Sequence, residues 1–413
     1  MSNSENQVKK DYFWNMMGSG MAAAFSVLII WIVTRITGEY TGGVFAFAYT
    51  VAQQLQTVGQ YEVRNFQSTD IKEQFSFDTY LSFRIITCGI MLFGATIYGV
   101  VHEGLTVSAF IIFLACALKF FDAFEDVFHG MFQQHRHLYI AGKALFYRLL
   151  FTLGSFVVTL IITKNLVVSC IISIVISTIA LIVLNFPQAK KFVSIRPAFH
   201  WSKIKALCIT CLPLFLGSFI LLFIYNLPRY RMEAFLPKNY QTYYTILFMP
   251  ASVINLFSGF AFKPMLTTLA VSWNEKRESQ FFKMLFGGLG MVLIFTLVVT
   301  LCGYFLGIPV LSWFYGVQLT EYKTALLFFL IGGGFSAANI ILYYGLTVMR
   351  KQKLVLLGYV LTVLCAIPVS GPMIQQWGMT GAAVLYMGLM LLLCLIFGTM
   401  IAISTVVMKK KDS

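Results

Sequence analysis

Charge is what this sequence has least of. Asp, Glu, Lys and Arg make up 11% of the 413 residues, and only 16 residues are acidic. A soluble domain carries about 25% charged residues, so a soluble fold of this length would lack the polar surface it needs. The chain also has no GxxxxGKS/T loop and no room for a nucleotide-binding domain, which excludes ATP hydrolysis by this chain. Every connection between its apolar runs is short. None is large enough for the catalytic platform of a membrane glycosyl polymerase or ligase, and nothing points to an enzyme or to a cofactor.

What fills the chain instead is apolar. Hydrophobic residues make up 59%, aromatic residues 16%, and the mean hydropathy is +0.80. A membrane-spanning helix needs about 20 mostly apolar residues, and such runs follow one another almost end to end. The pattern predicts an all-α membrane protein with twelve spans. They fall at 14–35, 41–64, 79–101, 105–130, 138–163, 166–187, 201–225, 240–263, 281–305, 321–349, 354–372 and 378–408. The first is too long for a cleaved signal peptide, and no small-residue cleavage site precedes Thr37-Gly38-Glu39.

Lys and Arg concentrate in cytoplasmic loops. Placing the N-terminus inside puts most of the 30 Lys and Arg on the cytoplasmic side, Arg84, Arg136, Lys143 and Arg148 among them. Both termini are therefore expected in the cytoplasm of a multi-pass protein of the cell membrane. The net charge of +14 follows from this topology and does not imply nucleic acid as a partner. The basic connection at 188–200 divides the chain into an N-terminal lobe at 1–187 and a C-terminal lobe at 201–413, each with six spans. Six spans per lobe imply a pseudo-twofold along the membrane normal, with a central cavity between the lobes near midplane.

The eight cysteines all fall inside expected spans. Cys208 and Cys211 have CxxC spacing, but within an apolar helix they read as soft packing residues rather than a redox or metal pair. His129, His135 and His137 straddle a helix end, where a solvated basic loop is the ordinary reading and no metal site is expected.

Charges inside a span cost about 2.5–3.5 kcal/mol each at the helix centre and are functional candidates by default. The fourth span holds Lys119, Asp122, Glu125, Asp126, His129 and Gln133. At helical periodicity these six share a stripe about 120° wide. Two readings stay open: an internally neutralised Lys119–Asp122 pair that fixes packing, or a cavity wall in which Lys119 attracts an anionic headgroup. On the second span, Tyr49, Gln53, Gln56, Gln60 and Arg64 fall within about 80° by the same arithmetic. Amides and a phenol along one face suit a hydroxyl-rich ligand such as a sugar, and equally suit bonds between helices. Tyr49, Tyr225, Tyr243 and Tyr244 are candidates for stacking on a sugar. Pro213, Pro250 and Pro264 are expected to kink their spans, and Gly332-Gly333-Gly334 to loosen the tenth.

Several of these segments resemble one family. Phe13-Trp14-Asn15-Met16-Met17-Gly18-Ser19, with Thr34-Arg35-Ile36-Thr37-Gly38, resembles the first span and Arg-x-x-Gly turn of the polysaccharide flippases. These belong to the multidrug/oligosaccharidyl-lipid/polysaccharide exporter superfamily. Gly43-Val44-Phe45-Ala46-Phe47-Ala48-Tyr49 is similar to the start of the family's second span. Gly59-Gln60-Tyr61-Glu62-Val63-Arg64-Asn65-Phe66-Gln67-Ser68-Thr69-Asp70 is similar to a cytoplasmic-end motif of one branch. Lys119-Phe120-Phe121-Asp122-Ala123-Phe124-Glu125-Asp126, with Gly130 and Gln133-Gln134, is similar to that branch's fourth span. The resemblance is clearest over the first 150 residues or so.

The resemblance implies two six-helix lobes around a cationic cavity that moves polyprenyl-diphosphate-linked oligosaccharides to the outer leaflet by alternating access. It implies that Arg35 lines the cavity, and that Arg229 or Arg231, placed in an outer loop after the seventh span, plays the same part in the second half. The expected substrate-binding residues are thus Arg35, Gln53, Gln60, Arg64, Lys119, Asp122, Arg229 and Arg231. The partners expected are a polyprenyl-diphosphate-linked saccharide, membrane lipids and polysaccharide-assembly enzymes. The acids Asp122, Glu125 and Asp126 keep open the alternative of a cation-coupled multidrug exporter of the same superfamily.

Overall fold

A computed structural model describes residues 2–70, 73–262 and 265–412. Lys72, Lys263 and Pro264, the last an expected kink, lie outside the described residues. Every regular element among the described residues is helical. Lipid dictates this outcome: with no water to satisfy backbone N–H and C=O groups, each segment must bond to itself.

The chain divides into two compact units, Met1–Phe219 and Ile220–Ser413. The first contains α1 (Ser2–Thr37), α2 (Glu39–Gln60), the short α3 (Val63–Gln67), α4 (Phe77–Glu103), α5 (Val107–Gln134), α6 (Leu138–Thr163), α7 (Leu166–Leu184) and the single turn α8 (Phe186–Ala189). Within it, α1 packs against α2 and α6, while α2, α4 and α5 pack against one another. Side chains of Thr106 and Asn165 accept from the backbone N–H groups of Ala109 and Val168, capping α5 and α7 where the sequence turns polar. The outward rows are apolar, as with Ile90, Phe93 and Ile97 on α4 and Val158, Ile161 and Ile162 on α6, a surface suited to lipid rather than water.

The division between units falls inside α9 (Trp201–Phe235), which runs on through Pro213. Its first part is buried against unit 1 through Ile204, Leu207 and Cys211. Arg229 and Arg231 thus lie in a helix, not in the outer loop expected after residue 225. Their guanidinium groups find partners within the second unit, which removes the need for water.

The second unit continues with α10 (Asn239–Phe262), α11 (Leu266–Asn274), α12 (Glu278–Cys302), α13 (Ile308–Tyr315), α14 (Lys323–Val348) and α15 (Gln352–Asp412). At its centre α14 packs against α10, α12 and α15. Gly332-Gly333-Gly334 makes this possible rather than loosening the helix. A Cβ on these three would stand 2.7 Å from a Tyr386 ring carbon, 2.9 Å from the Ala251 carbonyl oxygen and 2.5 Å from Thr296 Cγ2, so each glycine admits a different neighbour. The kink in α15 comes at Gly378, whose φ of 55° suits glycine.

Nine helices of the described residues are long and apolar enough to cross a membrane. The expectation of twelve is met only in part. Non-helical backbone at Gly378 separates α15 into two helices where the expected eleventh and twelfth spans divide, and α2 and α10 are not among the nine. For α2 the reason is its polar load, Gln53, Gln54, Gln56 and Gln60 within 22 residues.

Candidate functional site

Four of the six residues of the α5 stripe, Lys119, Glu125, Asp126 and His129, are buried inside the first unit, while Asp122 is half-buried and Gln133 exposed. Lys119 Nζ donates to Asp122 Oδ2 at 2.8 Å, the internally neutralised pair that the spacing allowed. Asp122 has a second partner, Arg148 of α6. Arg148 also grips Glu125 with two bonds, Nε to Oε2 at 2.8 Å and Nη2 to Oε1 at 2.7 Å. Asp126 in turn holds Arg84 of α4 at 2.9 Å and Arg64 of α3 at 3.3 Å. His129 Nε2 lies 3.9 Å from Glu125 Oε2 and is fully enclosed. His129 is therefore buried in this stripe rather than part of a solvated loop.

Arg84 and Arg148 are the members of this network that the sequence reading missed. Counting them among cytoplasmic loop charges missed their environment: both side chains are 1% exposed. The signal was available, because both fall inside apolar spans, where an arginine demands a partner. Paired Arg–carboxylate geometry supplies one, since the guanidinium fork matches two carboxylate oxygens.

Arg84 does a second job. Its Nη1 donates to the Gly59 carbonyl at 2.5 Å, and Thr87 Oγ1 donates to the same oxygen at 2.8 Å. These donors satisfy the end of α2, where Tyr61 and Glu62 both turn left-handed, with φ 49° and 54°. The Tyr61 ring stacks on Phe215 at 4.3 Å, and its hydroxyl shares a hydrogen bond with Cys208 Sγ at 3.3 Å. Cys208 and its neighbour Cys211 are free thiols. Beyond α3, the Asp70 carboxylate accepts from the N–H groups of Gln74 and Phe75 and from the Tyr80 hydroxyl. Gln67 donates to the Val127 carbonyl at 3.1 Å across the space left by Gly130, where a Cβ would sit 2.8 Å from Gln67 Cδ. Much of the 59–70 motif thus folds a corner.

Arg64 differs from the other cations of the cluster. Its side chain is 30% exposed, and its bonds are long: 3.3 Å to Asp126, and 3.3 and 3.4 Å to Gln133 Oε1. Nearby on α2, Gln53, Gln56 and Gln60 are half-buried and make no hydrogen bond among the described residues. At the other end of this row the Tyr49 ring sits 4.8 Å from Lys119 Nζ, and its hydroxyl shares a hydrogen bond with Ser26 Oγ at 3.0 Å. The α2 row therefore meets the α5 stripe at Tyr49 and Lys119. Arg64, expected on the same helical face, lies instead on α3 beyond the left-handed Tyr61 and Glu62 and meets the stripe at Asp126.

The remaining candidates are elsewhere. Arg35 is exposed in the last turn of α1 and takes no part in this network. In the second unit, the Arg229 guanidinium lies 4.7 Å from the Tyr244 ring centroid and 6.0 Å from that of Phe248, a cation–π arrangement. Arg231 Nε donates to Ser370 Oγ at 2.9 Å. Tyr225 shares a hydrogen bond with Ser336 at 2.7 Å, and Tyr244 packs edge-on against Phe329 at 4.7 Å. With Arg229, Phe248 and Phe329 around it, Tyr244 has no open face for a sugar. Tyr243 lies against Tyr240 and Tyr322.

No protein-family model matches the sequence, and no curated protein does. Solved structures do match. The lipid II flippase MurJ, in an inward closed conformation, superposes with a TM-score of 0.66 at 12% identity, over 92% of this chain and 86% of that one. An inward-facing multidrug resistance MATE family transporter of the MOP superfamily gives 0.59 at 13% identity, over 98% and 96%. A MOP superfamily transporter from Pyrococcus furiosus gives 0.55 at 10% identity, over 98% and 96%. The chain has the fold of MOP superfamily transporters. These neighbours are transporters and a flippase rather than enzymes, and identities this low speak for the fold alone.

Proposed function

We propose that this protein is a flippase that carries polyprenyl-diphosphate-linked oligosaccharide precursors of a surface polysaccharide to the outer leaflet by alternating access. The observation that carries this reading is the α2 row: three half-buried glutamines without hydrogen-bond partners among the described residues, followed on α3 by a half-buried, loosely held arginine. Amides can donate and accept, as sugar hydroxyls do, and a guanidinium matches phosphate oxygens. In this reading Gln53, Gln60 and Arg64 meet the substrate directly, with Lys119 and Asp122 closing the far end of the site. Arg35, Arg229 and Arg231 contribute positive charge along the path.

The reading carries the rest of the architecture with it. The protein sits in the cell membrane with both termini in the cytoplasm, and segments 1–187 and 201–413 act as two lobes joined by 188–200. Polysaccharide-assembly enzymes consume the product outside and keep the flux one-way. Cells are negative inside, and moving one charge through the potential is worth about 2.3 kcal/mol per 100 mV. An anionic diphosphate therefore travels outward downhill.

The alternative of a cation-coupled multidrug exporter rested on Asp122, Glu125 and Asp126. A cationic drug would need one of these carboxylates free, and each is held by a lysine or an arginine. That pairing favours the flippase. Mass spectrometry of polyprenyl-linked lipids in depleted cells tests the choice. One oligosaccharide diphosphate intermediate accumulates if the reading is right; unchanged lipids with a new drug sensitivity would favour the exporter.

A further inference from the structure

The charges of the α5 stripe close on one another, and that limits what a ligand can find there. Lys119, Arg148 and Arg84 each have a carboxylate partner at 2.9 Å or less, and Asp122, Glu125 and Asp126 are all engaged. Arg148 and Arg84 are fully buried as well, so neither can turn toward a ligand without abandoning an enclosed acid. Among the described cations of this network, Arg64 alone combines partial exposure with long, weak bonds.

Between Arg64 and the Tyr49–Lys119 contact, the α2 row offers Gln60, Gln56 and Gln53, spread over about 10 Å of helix at 1.5 Å per residue. Their amides can meet a hydroxyl or an N-acetyl group in both senses, donating through NH2 and accepting through the carbonyl. They carry no charge with which to offset a carboxylate. A uronic acid laid against this row would lose water and gain no counter-ion, the costliest form of polar burial. The neighbouring cations are already committed to acids of the chain.

We propose that the saccharide carried by this protein is uncharged, read by Gln53, Gln56 and Gln60, with the anionic diphosphate confined to the Arg64 end of the row. This rests on the flippase reading and narrows it to neutral saccharides on an anionic carrier. It also gives the ligand a direction: diphosphate toward α3, sugar toward Tyr49 and Lys119.

The test uses the full chain reconstituted in liposomes, with two fluorescent short-chain prenyl-diphosphate probes. One carries N,N′-diacetylchitobiose, which is neutral, and the other carries the same disaccharide extended by glucuronic acid. Translocation is read as loss of fluorescence to a quencher outside the vesicle. The neutral probe should cross, and the uronate probe should cross at least about ten-fold more slowly, the effect of one uncompensated polar burial. Gln56→Lys supplies a cation to the row and should restore several-fold the rate for the uronate probe; Gln53→Lys serves if the first variant does not purify as a monodisperse protein. Equal rates for both probes would overturn the inference while leaving the flippase reading intact. A slow uronate probe that neither lysine accelerates would also overturn it, because discrimination would then lie away from α2. If well-folded protein moves neither probe, the flippase reading falls and the inference with it.

Discussion

Arg148 of α6 and Glu125 of α5 are joined by two hydrogen bonds, 2.7 and 2.8 Å long, and each side chain is 1% exposed. A pair this enclosed tells little about net stability, because desolvation offsets most of the attraction. What it fixes is the cost of breaking it. Arg148→Met should destabilise the protein by about 3–5 kcal/mol, since Glu125 is left buried and unpaired. Glu125→Met combined with Arg148→Met should recover much of that loss. Thermal unfolding of the purified protein in detergent measures both, and equal damage from the single and double variants would show that the pair is not the unit that matters.

Arg64 should behave in the opposite way. Its pairing with Asp126 is long and partly in contact with solvent, and such pairs contribute about 0–1 kcal/mol. Arg64→Gln should therefore leave the unfolding temperature nearly unchanged. In nanodiscs it should weaken binding of farnesyl diphosphate about ten-fold or more, because a charge-assisted contact to phosphate is lost. Lys119→Met should do the reverse: a loss of stability because Asp122 is left with Arg148 as its one cation, with a smaller change in diphosphate binding in whatever protein remains folded. Titration of the probe into the two variants separates them.

These predictions turn on residues that the sequence revealed unevenly. The α5 stripe was legible because six polar residues on one face of an apolar run stand out at helical periodicity. On α2, Tyr49, Gln53, Gln56 and Gln60 were legible for the same reason, but the periodicity that added Arg64 to that face fails, because α2 ends at Gln60. The partners of Arg84 and Arg148 were not legible, because they lie on other helices and periodicity within one segment says nothing about which helix it will face. Arg229 and Arg231 looked like loop residues because they are charged, yet aromatic rings and a serine hydroxyl let α9 continue to Phe235. The end of α2 was hidden too. Two consecutive left-handed residues, Tyr61 and Glu62, are no sequence signal; what fixes them is the Gly59 carbonyl held by Arg84 and Thr87 from α4.

The glycine triplet of α14 makes a prediction about packing in the second unit. Gly333 faces Ala251 of α10, and its missing Cβ would fall 2.9 Å from a backbone oxygen that has no rotamer to adopt. Gly333→Val should cost about 1–3 kcal/mol or more, the range for overpacking a close-packed interface. At Gly332 the obstacle is the Tyr386 side chain, so the combination of Gly332→Ala with Tyr386→Leu should be tolerated better than Gly332→Ala alone. Unfolding temperatures of the three variants check this. A loose α14, as the triplet suggested in sequence, would show little change in any of them.

Membrane potential separates the two transport readings without any mutation. If the cargo is an anionic diphosphate lipid and no counter-ion moves with it, an inside-negative potential favours the outer leaflet by about 2.3 kcal/mol per charge per 100 mV. That is about fifty-fold in the equilibrium ratio for each charge moved. Liposomes loaded with potassium and treated with valinomycin set the potential, and the N,N′-diacetylchitobiose-linked prenyl diphosphate reports the ratio. The outer-leaflet fraction of the probe should rise as the interior becomes more negative and fall when the gradient is reversed. A cationic drug carried alone would respond with the opposite sign. A ratio that ignores the potential would mean that the diphosphate crosses with compensating cations, and the chain would then need a cation site beyond the paired acids of α5.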